Sequence, residues 1–221
     1  GSKGLPNKNV KEILGKPLIA FSIQQAFESD LFDKIVVSTD SDEITKIAKK
    51  YGAECWFSRP SELCKDDSAK ILAIQHALRE SEKKFNCKFD QIIDLDVTSP
   101  LRNVEDIKKA YKIFLKDGLD NLITGTKSRR NPYFNMIEIK NGKVELSKKL
   151  KNTPVSRQLS PQVYDMNASI YIWSRDFLLK SNSLFFGKLG FYEMPEDRSI
   201  DIDSQLDWEV VKMIMEKKNN G

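Results

Sequence analysis

Short apolar runs rich in β-branched residues alternate along this chain with amphipathic stretches of helical period. Strand-like runs lie at 34–39, 91–95 and 121–126, and helical patterns follow at 41–51 and 104–116. This alternation predicts βαβ units, because two parallel strands need a crossover connection, which is usually a helix. We therefore expect an α/β fold of Rossmann-like type, with a mostly parallel sheet and helices on both faces.

The alternation is interrupted between residues 131 and 161. Strand-like runs at 133–139 and 144–146 flank Asn141-Gly142, a dipeptide typical of two-residue hairpin turns. Two interpretations stay open, an arm for a partner subunit and an edge extension of the same sheet. The remaining predicted elements are a strand at 54–57, a helix at 68–84, a strand at 168–173, a helix from 174 and a last helix from about 203.

The composition is that of a globular protein, with 40% hydrophobic and 31% charged residues among 221. We expect one domain over 1–221, with 131–161 inserted in it. The chain has no run of about 18 apolar residues, so we expect no membrane partner. The net charge of +4 is spread among acidic residues, and we expect no nucleic-acid partner.

Cysteine and histidine usage argues against several classes of site. Cys55, Cys64 and Cys87 are scattered without CxxC spacing, so we expect neither a disulfide framework nor a zinc site. This usage is typical of the reducing cytoplasm. The single histidine, His76, lies in an apolar helical stretch and is expected to be structural, which argues against histidine-based triads.

The segment Gly1-Ser-Lys-Gly-Leu-Pro-Asn-Lys-Asn9 has the composition of an anion-binding loop. Gly1 and Ser2 let backbone N–H groups approach an anion closely, and Lys3 and Lys8 supply charge for phosphates. Asn9 is suited to reading a base or a sugar edge. An expression remnant explains the Gly-Ser pair but not the residues after it. Because a phosphate loop follows a strand in this class of fold, we expect a further strand upstream of residue 1.

Two pairs of aspartates, each pair separated by one residue, are candidate ligands. Asp94 and Asp96 share a face at the end of a predicted strand, where they suit a metal or sugar hydroxyls; a turn followed by a helix cap is the alternative. Asp201 and Asp203 also share a face, and their oxygens suit Mg²⁺. Alternatively Asp203 or Ser204 caps the last helix, which leaves Asp201 unexplained.

Arg157-Gln158 and Asn167 are weaker candidates. Arg157 is suited to hold a substrate carboxylate with a fork of hydrogen bonds, although a solvated arginine is the commoner role. Asn167 precedes a predicted strand and is placed to reach a sugar.

Together these segments resemble the acylneuraminate cytidylyltransferases, the CMP-sialic acid synthetases. Positions 1–9 match all but the leading part of that family's signature. The family's order continues in Val37-Ser-Thr-Asp40, Arg59-Pro60, Thr98-Ser-Pro-Leu-Arg102, Arg157-Gln158, the Asn167 strand and Asp201-Ile-Asp203. The resemblance covers almost the whole chain. It implies a nucleotidyltransferase-type fold, CTP and a nonulosonic acid as substrates, and a cytoplasmic homodimer whose arms insert beside the partner's active site.

The resemblance also implies a role for each candidate residue. Nucleotide binding is assigned to Gly1, Ser2, Lys3, Lys8, Asn9 and Arg59, with both lysines facing the CTP phosphates. Asp201 and Asp203 are expected to hold a divalent cation, Mg²⁺ or Mn²⁺, and to form the catalytic set with Lys3 and Lys8. The resemblance places Arg157, Asn167 and Tyr171 near the sugar. The further expected sugar-binding residues are Asp96, Thr98, Ser99 and Gln158, together with Phe185 and Phe186, whose aromatic side chains are suited to cover apolar groups of the sugar.

Asp96 departs from the family pattern, which has glutamine at this position. A carboxylate accepts hydrogen bonds but donates none, so the sugar is expected to differ from N-acetylneuraminate. The sequence from Leu95 to Arg102 resembles that of the legionaminic acid branch of the family. A metal role for Asp96 stays open, because related octulosonate cytidylyltransferases place a metal-binding aspartate near this point. The family's leading arginine is expected upstream of residue 1.

We therefore expect transfer of CMP from CTP to the anomeric hydroxyl of a nonulosonic acid, with release of pyrophosphate. Two alternatives stay open. A DxD-type nucleotide-sugar glycosyltransferase, with Asp94-Leu-Asp96 as its DxD, leaves the N-terminal loop unexplained. A catalytically inactive nucleotide-binding module leaves Asp201 and Asp203 unexplained.

Overall fold

The structure, a computed structural model, describes residues 4–64, 69–152 and 154–220. Its strands are β1 (Glu12–Ile13), β2 (Lys16–Pro17), β3 (Gln91–Leu95), β4 (Asn121–Lys127), β5 (Ile137–Lys140), β6 (Lys143–Leu146), β7 (Tyr164–Ser174) and β8 (Leu189–Glu193). Its α-helices are α1 (Leu18–Ser29), α2 (Asp42–Lys50), α3 (Lys70–Phe85), α4 (Val104–Asp117), α5 (Arg175–Lys180) and α6 (Gln205–Asn220).

A mixed sheet with the strand order β3–β7–β4–β8 lies at the centre of the fold. Strand β7 pairs antiparallel with β3 and with β4, and β8 pairs parallel with β4. Strands β3, β4 and β8 therefore share one direction, which confirms the expected class, and β7 opposes them. Their carboxyl ends meet at one edge of the sheet, where open α/β folds bind ligands.

Alternate residues of β4 and β7 supply one hydrophobic core on each face of the sheet. Leu122 and Ile172 pack with the apolar side of α4. Their neighbours Ile123 and Trp173 point the other way and pack with α3 and α5. Helices therefore cover both faces, as the alternation of strand and helix predicted.

Local capping signals set the ends of the predicted helices. The Ser41 hydroxyl accepts from the backbone N–H of Ile44 at 3.3 Å and begins α2. A reciprocal capping box between Asn103 and Asp106 begins α4, which ends at Gly118 with φ of 56°. Helix α1 was not predicted from the sequence. Within the described ranges, no helix combines the length and the apolar character that crossing a membrane requires.

The predicted strands at 34–39 and 54–57 are extended, but they join through isolated parallel bridges and form no regular ladder. The backbone N–H of Val37 donates to Glu54 O at 2.9 Å, and that of Arg59 donates to Thr39 O at 2.9 Å. These hydrogen bonds fix the backbone near Arg59, whose side chain lies near the end of β3.

Strands β5 and β6 form the predicted hairpin, and they pair with each other in a two-stranded sheet of their own. Its turn has positive φ at Asn141 (51°) and Gly142 (77°), as a type I′ turn requires. The edge-extension interpretation is therefore wrong, because the central sheet does not continue into β5 or β6. The hairpin exposes apolar side chains, among them Ile137 and Ile139, which is 73% exposed.

Candidate active site

Three loops that are far apart in sequence meet where β3 ends. They are residues 4–9 (the N-terminal loop), residues 96–99 (the β3 loop) and residues 201–203 (the aspartate loop). The backbone N–H of Ile202 donates to Thr98 O at 2.9 Å, which ties the aspartate loop to the β3 loop. The site is therefore built by tertiary contacts rather than by one local motif.

Lys8 and Gly4 hold the N-terminal loop against the aspartate loop. Lys8 is buried, and its Nζ donates to Ile202 O at 2.6 Å and to Asp203 Oδ1 at 3.1 Å. A Cβ at Gly4 would collide with the backbone carbonyl of Asp203, so glycine permits the close approach of the two loops. Lys8 thus lies beside Asp203, one of the two aspartates that the sequence marked as metal ligands. Gly1, Ser2 and Lys3 lie outside the described residues.

A cavity of about 560 Å³ begins at these loops and continues along β3 as far as Gln91, so its volume is that of a groove beside the strand as well as of the end near the loops. Its polar lining includes Lys8, Asn9, Arg59, Lys70, Asp96 and Thr98. The guanidinium of Arg59 donates to the Ser38 hydroxyl at 3.2 Å and to the Ser38 carbonyl. Asn9 and Arg59, the expected cytidine contacts, therefore line the same cavity as Lys8 and Asp96.

Lys70 bridges the first pair of aspartates. Its Nζ lies 2.6 Å from Asp94 Oδ2 and 2.9 Å from Asp96 Oδ2, which confirms that both carboxylates face the same side. The ammonium also lies 4.8 Å from the ring centroid of Tyr171. The other oxygen of Asp96 accepts from the backbone N–H and the hydroxyl of Thr98, each at 2.9 Å. Asp96, Thr98 and Tyr171 therefore form one cluster.

The charges in this cluster support each other. Partial desolvation lowers the pKa of Lys70, but the charges of Asp94 and Asp96 outweigh it and raise that pKa above its ordinary value. Burial raises the pKa of Asp96, but Lys70 and the hydrogen bonds from Thr98 outweigh it and hold that pKa below its usual range. Asp96 is therefore an ionised hydrogen-bond acceptor at neutral pH.

Asp201 is the partly buried member of the second pair. Its side chain accepts from the hydroxyl of Ser99 and from the backbone N–H of Ala168, the latter at 3.4 Å. Ser99 is fully buried, so it orients Asp201 and does not reach the sugar, which corrects its expected role. Burial raises the pKa of Asp201, and the nearby charges of Asp96 and Asp203 add to the rise.

Asp203 is 82% exposed, and helix capping does not occupy it. The cap of α6 is Ser204, whose hydroxyl accepts from the backbone N–H of Asp207 at 3.2 Å. The carboxylate of Asp207 accepts in return from the backbone N–H groups of Ser204 and Asp203. Of the two alternatives for the cap, the structure selects Ser204, and the Asp203 carboxylate is left to face Lys8.

The oxygen donors of this pair fit a divalent cation. Asp201 and Asp203 lie on the side opposite Ile202, which is fully buried, and their mutual repulsion is of the kind that a cation relieves. No cluster of three or more His, Cys, Asp and Glu side chains in the described part of the chain is arranged to hold a metal. A protein usually supplies only one or two carboxylates to a Mg²⁺–nucleotide site, and substrate oxygens and water complete the coordination.

Arg102 holds the β3 loop in place from inside the protein. It is 1% exposed and donates to Gln25 Oε1 at 3.1 Å, to Ser22 Oγ at 2.9 Å, and to the backbone carbonyls of Ser169 at 2.6 Å and Asp96 at 3.3 Å. Burial lowers the pKa of Arg102 to about 10. Arg102, the last residue of the Thr98–Arg102 motif, is therefore a structural anchor for the loop.

A buried ion pair anchors the approach to the aspartate loop. Arg198 donates through Nε to Asp106 Oδ2 at 2.8 Å and through a terminal nitrogen to Asp106 Oδ1 at 2.9 Å. The hydroxyl of Tyr192 and the backbone N–H of Asn103 also donate to Asp106, at 3.2 and 3.1 Å. Asp106 thus joins the start of α4 to the chain just before Asp201. Sequence reasoning missed this pair, because its two members are 92 residues apart.

Asn167 does not point into the cavity, which corrects its expected role. It is 4% exposed, its Oδ1 accepts from the Thr124 hydroxyl at 2.6 Å, and its Nδ2 lies 3.6 Å from Met194 Sδ. These contacts join β7 to β4 beside the register shift between Ile123 and Thr124. The Asn167 side chain therefore stabilises the sheet rather than a bound sugar.

Phe185 and Phe186 lie at the other end of the sheet, which corrects their assignment to the sugar site of the same chain. They follow Leu184, whose carbonyl accepts from Asn121 Nδ2 at the start of β4. Asp96 follows the end of β3, about four residues or roughly 13 Å further along the strand direction. Both phenylalanine rings are exposed and cannot cover a sugar at Asp96 within one chain.

Arg157 and Gln158 lie in a short exposed 3-10 turn between the hairpin and β7. Arg157 donates to the backbone carbonyl of Arg129 at 3.2 Å. The described chain gives neither side chain a hydrogen bond to Asp96 or Asp201. Neither residue lines the cavity, so the structure does not bring them into the site of the described chain.

Comparison with known proteins decides the family. Residues 1–219 match the family described as "Cytidylyltransferase". The chain belongs to the cytidylyltransferase family. This membership confirms the resemblance and excludes the alternative of a DxD-type glycosyltransferase.

Two relatives from Campylobacter each span 99% of this cytidylyltransferase, and the match covers 92% of each relative. One, from Campylobacter coli, is named "Post-translational flagellin modification protein B" and is 50% identical over 219 residues. The other, from Campylobacter jejuni, is named "CMP-N,N'-diacetyllegionaminic acid synthase" and is 49% identical over 219 residues.

Solved structures share the fold at low sequence identity. A CMP:2-keto-3-deoxy-manno-octonic acid synthetase complexed with CTP has a TM-score of 0.69 and 16% identity, over 99% of this chain and 95% of that one. A 4-diphosphocytidyl-2C-methyl-D-erythritol synthase has a TM-score of 0.68 and 11% identity, over 95% and 94%. These matches confirm the nucleotidyltransferase-type α/β fold of this cytidylyltransferase.

Proposed function

We propose that this cytidylyltransferase transfers CMP from CTP to a nonulosonic acid of the legionaminic type. The observation that carries the proposal is the 49% identity, over 99% of the chain, to a Campylobacter jejuni enzyme named for the CMP derivative of N,N'-diacetyllegionaminic acid. Matches to an N-acylneuraminate cytidylyltransferase of Oncorhynchus mykiss and to a pseudaminic acid cytidylyltransferase of Campylobacter jejuni stand at 34% and 32%.

In the proposed reaction, the anomeric hydroxyl oxygen of the sugar attacks the α-phosphorus of CTP. The bond from this phosphorus to the β-phosphate oxygen breaks, pyrophosphate leaves, and the proton of the hydroxyl is lost. Asn9 and Arg59 hold the cytidine end of the cavity, and Lys8 contributes a fixed positive charge beside the phosphates. The protein's contribution is positioning and charge neutralisation.

Asp201 and Asp203 are the proposed ligands of Mg²⁺. When bound, the cation neutralises phosphate charge and favours loss of the hydroxyl proton. Ser99 orients Asp201, and Lys8 holds Asp203 on the same side of the aspartate loop. Lys8 lines the cavity, so its contact with Asp203 places the aspartate loop next to the cavity.

Asp96 is the proposed recognition residue for the sugar. Its ionised carboxylate favours a sugar that presents an N–H or O–H and disfavours one that presents only acceptors. Legionaminic acid carries an acyl-amino group where N-acetylneuraminic acid carries a hydroxyl, and the N–H of that group suits Asp96. A buried polar group left without a partner costs about 1–3 kcal/mol, or roughly 5- to 150-fold in kcat/KM.

The β5–β6 hairpin is the proposed dimerisation arm. It stands apart from the central sheet and exposes Ile137, Ile139 and Val144, which a partner subunit would cover. In such a dimer Arg157 and Gln158, which follow the hairpin, approach the partner's site rather than their own.

The test is pyrophosphate release from CTP in the presence of N,N'-diacetyllegionaminic, N-acetylneuraminic or pseudaminic acid. The wild type is expected to prefer the first sugar by about tenfold or more in kcat/KM. Asp96→Gln should narrow or reverse this preference, while Asp90→Gln, an exposed acid just before β3, should leave it unchanged.

A wild type that prefers N-acetylneuraminate refutes the sugar assignment. An Asp96→Gln variant that loses activity with all sugars equally refutes the recognition role. An enzyme that binds CTP and releases no pyrophosphate with any sugar of the panel supports the inactive-module alternative.

A further inference from the structure

Lys70 occupies the point at which the carboxylates of Asp94 and Asp96 converge. Its ammonium lies 2.6 Å from a carboxylate oxygen of Asp94 and 2.9 Å from one of Asp96. It emerges from the first residue of α3 and rests 4.8 Å from the ring centroid of Tyr171. The ammonium of Lys70 is therefore shared by two carboxylates and lies over the ring of Tyr171.

The position of the cluster makes this arrangement more than a surface ion pair. Lys70, Asp94 and Asp96 all line the cavity, and the side chain of Lys70 is 44% exposed. The two carboxylates are 24% and 22% exposed, so the low-dielectric wall strengthens their attraction to the ammonium. These three side chains together carry a charge of −1, and the buried guanidinium of Arg102 behind them interacts with both carboxylates.

Two converging carboxylates at the end of a parallel strand are also a common cation site in nucleotide-dependent enzymes. In this chain the space between them is already filled. We propose that Lys70 is a built-in cation that keeps a divalent ion out of the Asp94–Asp96 pair and fixes Asp96 as a hydrogen-bond acceptor. The inference rests on the proposed function only in naming the sugar as the group that Asp96 faces.

This role decides between the two alternatives that were left open for Asp96, sugar binding and metal binding. With Lys70 in place, Asp96 binds sugar and no metal, and a divalent cation is confined to Asp201 and Asp203. The sugar is therefore expected to present its donor groups toward Asp96.

The test counts bound Mn²⁺ by electron paramagnetic resonance on the full chain, without CTP or sugar. Lys70→Ala should bind one Mn²⁺ more than the wild type at the same free concentration, and Lys70→Ala combined with Asp96→Asn should lose it. The matched control is Lys149→Ala, because Lys149 lies 2.9 Å from the single carboxylate of Glu145 on the exposed hairpin. The control should bind as many ions as the wild type.

Equal Mn²⁺ counts for the wild type and Lys70→Ala, with unchanged circular dichroism, overturn the inference. Lys70→Ser provides a second small variant should Lys70→Ala fold poorly. In steady-state kinetics, Lys70→Ala should raise the KM for the sugar about tenfold and leave the KM for CTP within about twofold, and Lys70→Arg should restore the sugar KM. Equal changes in both KM values contradict the role.

A failure of this inference can be told apart from a failure of the proposed function. The Mn²⁺ count needs no substrate, so it stands if the sugar is not a nonulosonic acid. A wild type without pyrophosphate release refutes the proposed function and leaves the count unaffected.

Discussion

The buried Asp106–Arg198 pair predicts that Asp106→Asn destabilises the protein and loosens its aspartate loop. Asp106 is fully buried and accepts four hydrogen bonds, two of them from Arg198. The substitution removes the charge and turns an amide N–H₂ toward a donor. Breaking a buried pair costs about 3–5 kcal/mol, and we expect about 3 kcal/mol because the Arg198 side chain is partly exposed and regains water. For a chain of this size that loss lowers Tm by roughly 6–12 °C.

The control is Asp197→Asn, which removes a different acid from the same arginine. Asp197 Oδ1 lies 3.9 Å from Arg198, and the Asp197 side chain is 59% exposed. An exposed pair of this kind contributes at most about 1 kcal/mol, so Tm should fall by less than roughly 4 °C. Scanning calorimetry and urea unfolding measure both variants. Equal losses in the two variants would refute the reasoning, because they would show that burial adds nothing to the pair.

The same pair predicts a pH dependence. Burial raises the pKa of Asp106, but the hydrogen bonds from Arg198 and Asn103 outweigh it and hold that pKa below the ordinary value of 3.8. A carboxyl group with a lowered pKa contributes stability above its unfolded pKa, and this contribution is lost as pH falls through the folded value. The difference in unfolding free energy between the wild type and Asp106→Asn should therefore be constant near neutrality and shrink below about pH 4. A difference that grows on acidification contradicts this sign.

Three further predictions concern the loops and the hairpin. Gly4→Ala should cut turnover by about 10²-fold, because its methyl group displaces the Asp203 backbone; wild-type pyrophosphate release would contradict the close approach. Asp203→Asn should also cut turnover by roughly 10²-fold, whereas Asp207→Asn should cost about 1 kcal/mol in the cap of α6 and leave turnover near that of the wild type. Full activity of Asp203→Asn without added divalent cation would exclude the metal role. Ile139→Lys should convert a dimer into a monomer in analytical ultracentrifugation, and an unchanged sedimentation coefficient would exclude the hairpin as the contact.

Elements with a strong local signal were predicted well from the sequence. Strand β3 has the predicted bounds, since five residues of mostly apolar character end at a clear turn. Helices α2 and α4 carry their own capping residues, which act within one turn of the chain. Helix α1 was missed because buried residues surround much of its circumference and leave no clean polar face. The opposed direction of β7 was missed because a strand's side-chain pattern does not encode which way it runs.

The site followed the same division between local and distant signals. Each aspartate pair was visible because two residues on an extended chain share a face. The partners of these aspartates were not visible: Lys70 is 26 residues from Asp96, and Ser99 is 102 residues from Asp201. Asn167 was misassigned because its type and position match the family, and Phe185 was misassigned because an aromatic segment suits the apolar groups of a sugar. The side-chain direction of each depends on packing across the sheet.

The contact between Lys8 and Ile202 spans 194 residues of sequence, and this separation affects when the enzyme can complete its folding. During synthesis the ribosome delivers the first loop of the site long before the last one exists. Closing so long a loop costs entropy that only the finished core offsets. A partly folded chain should therefore be catalytically silent rather than weakly active. Recovery of turnover after dilution from urea should then report the completion of folding itself.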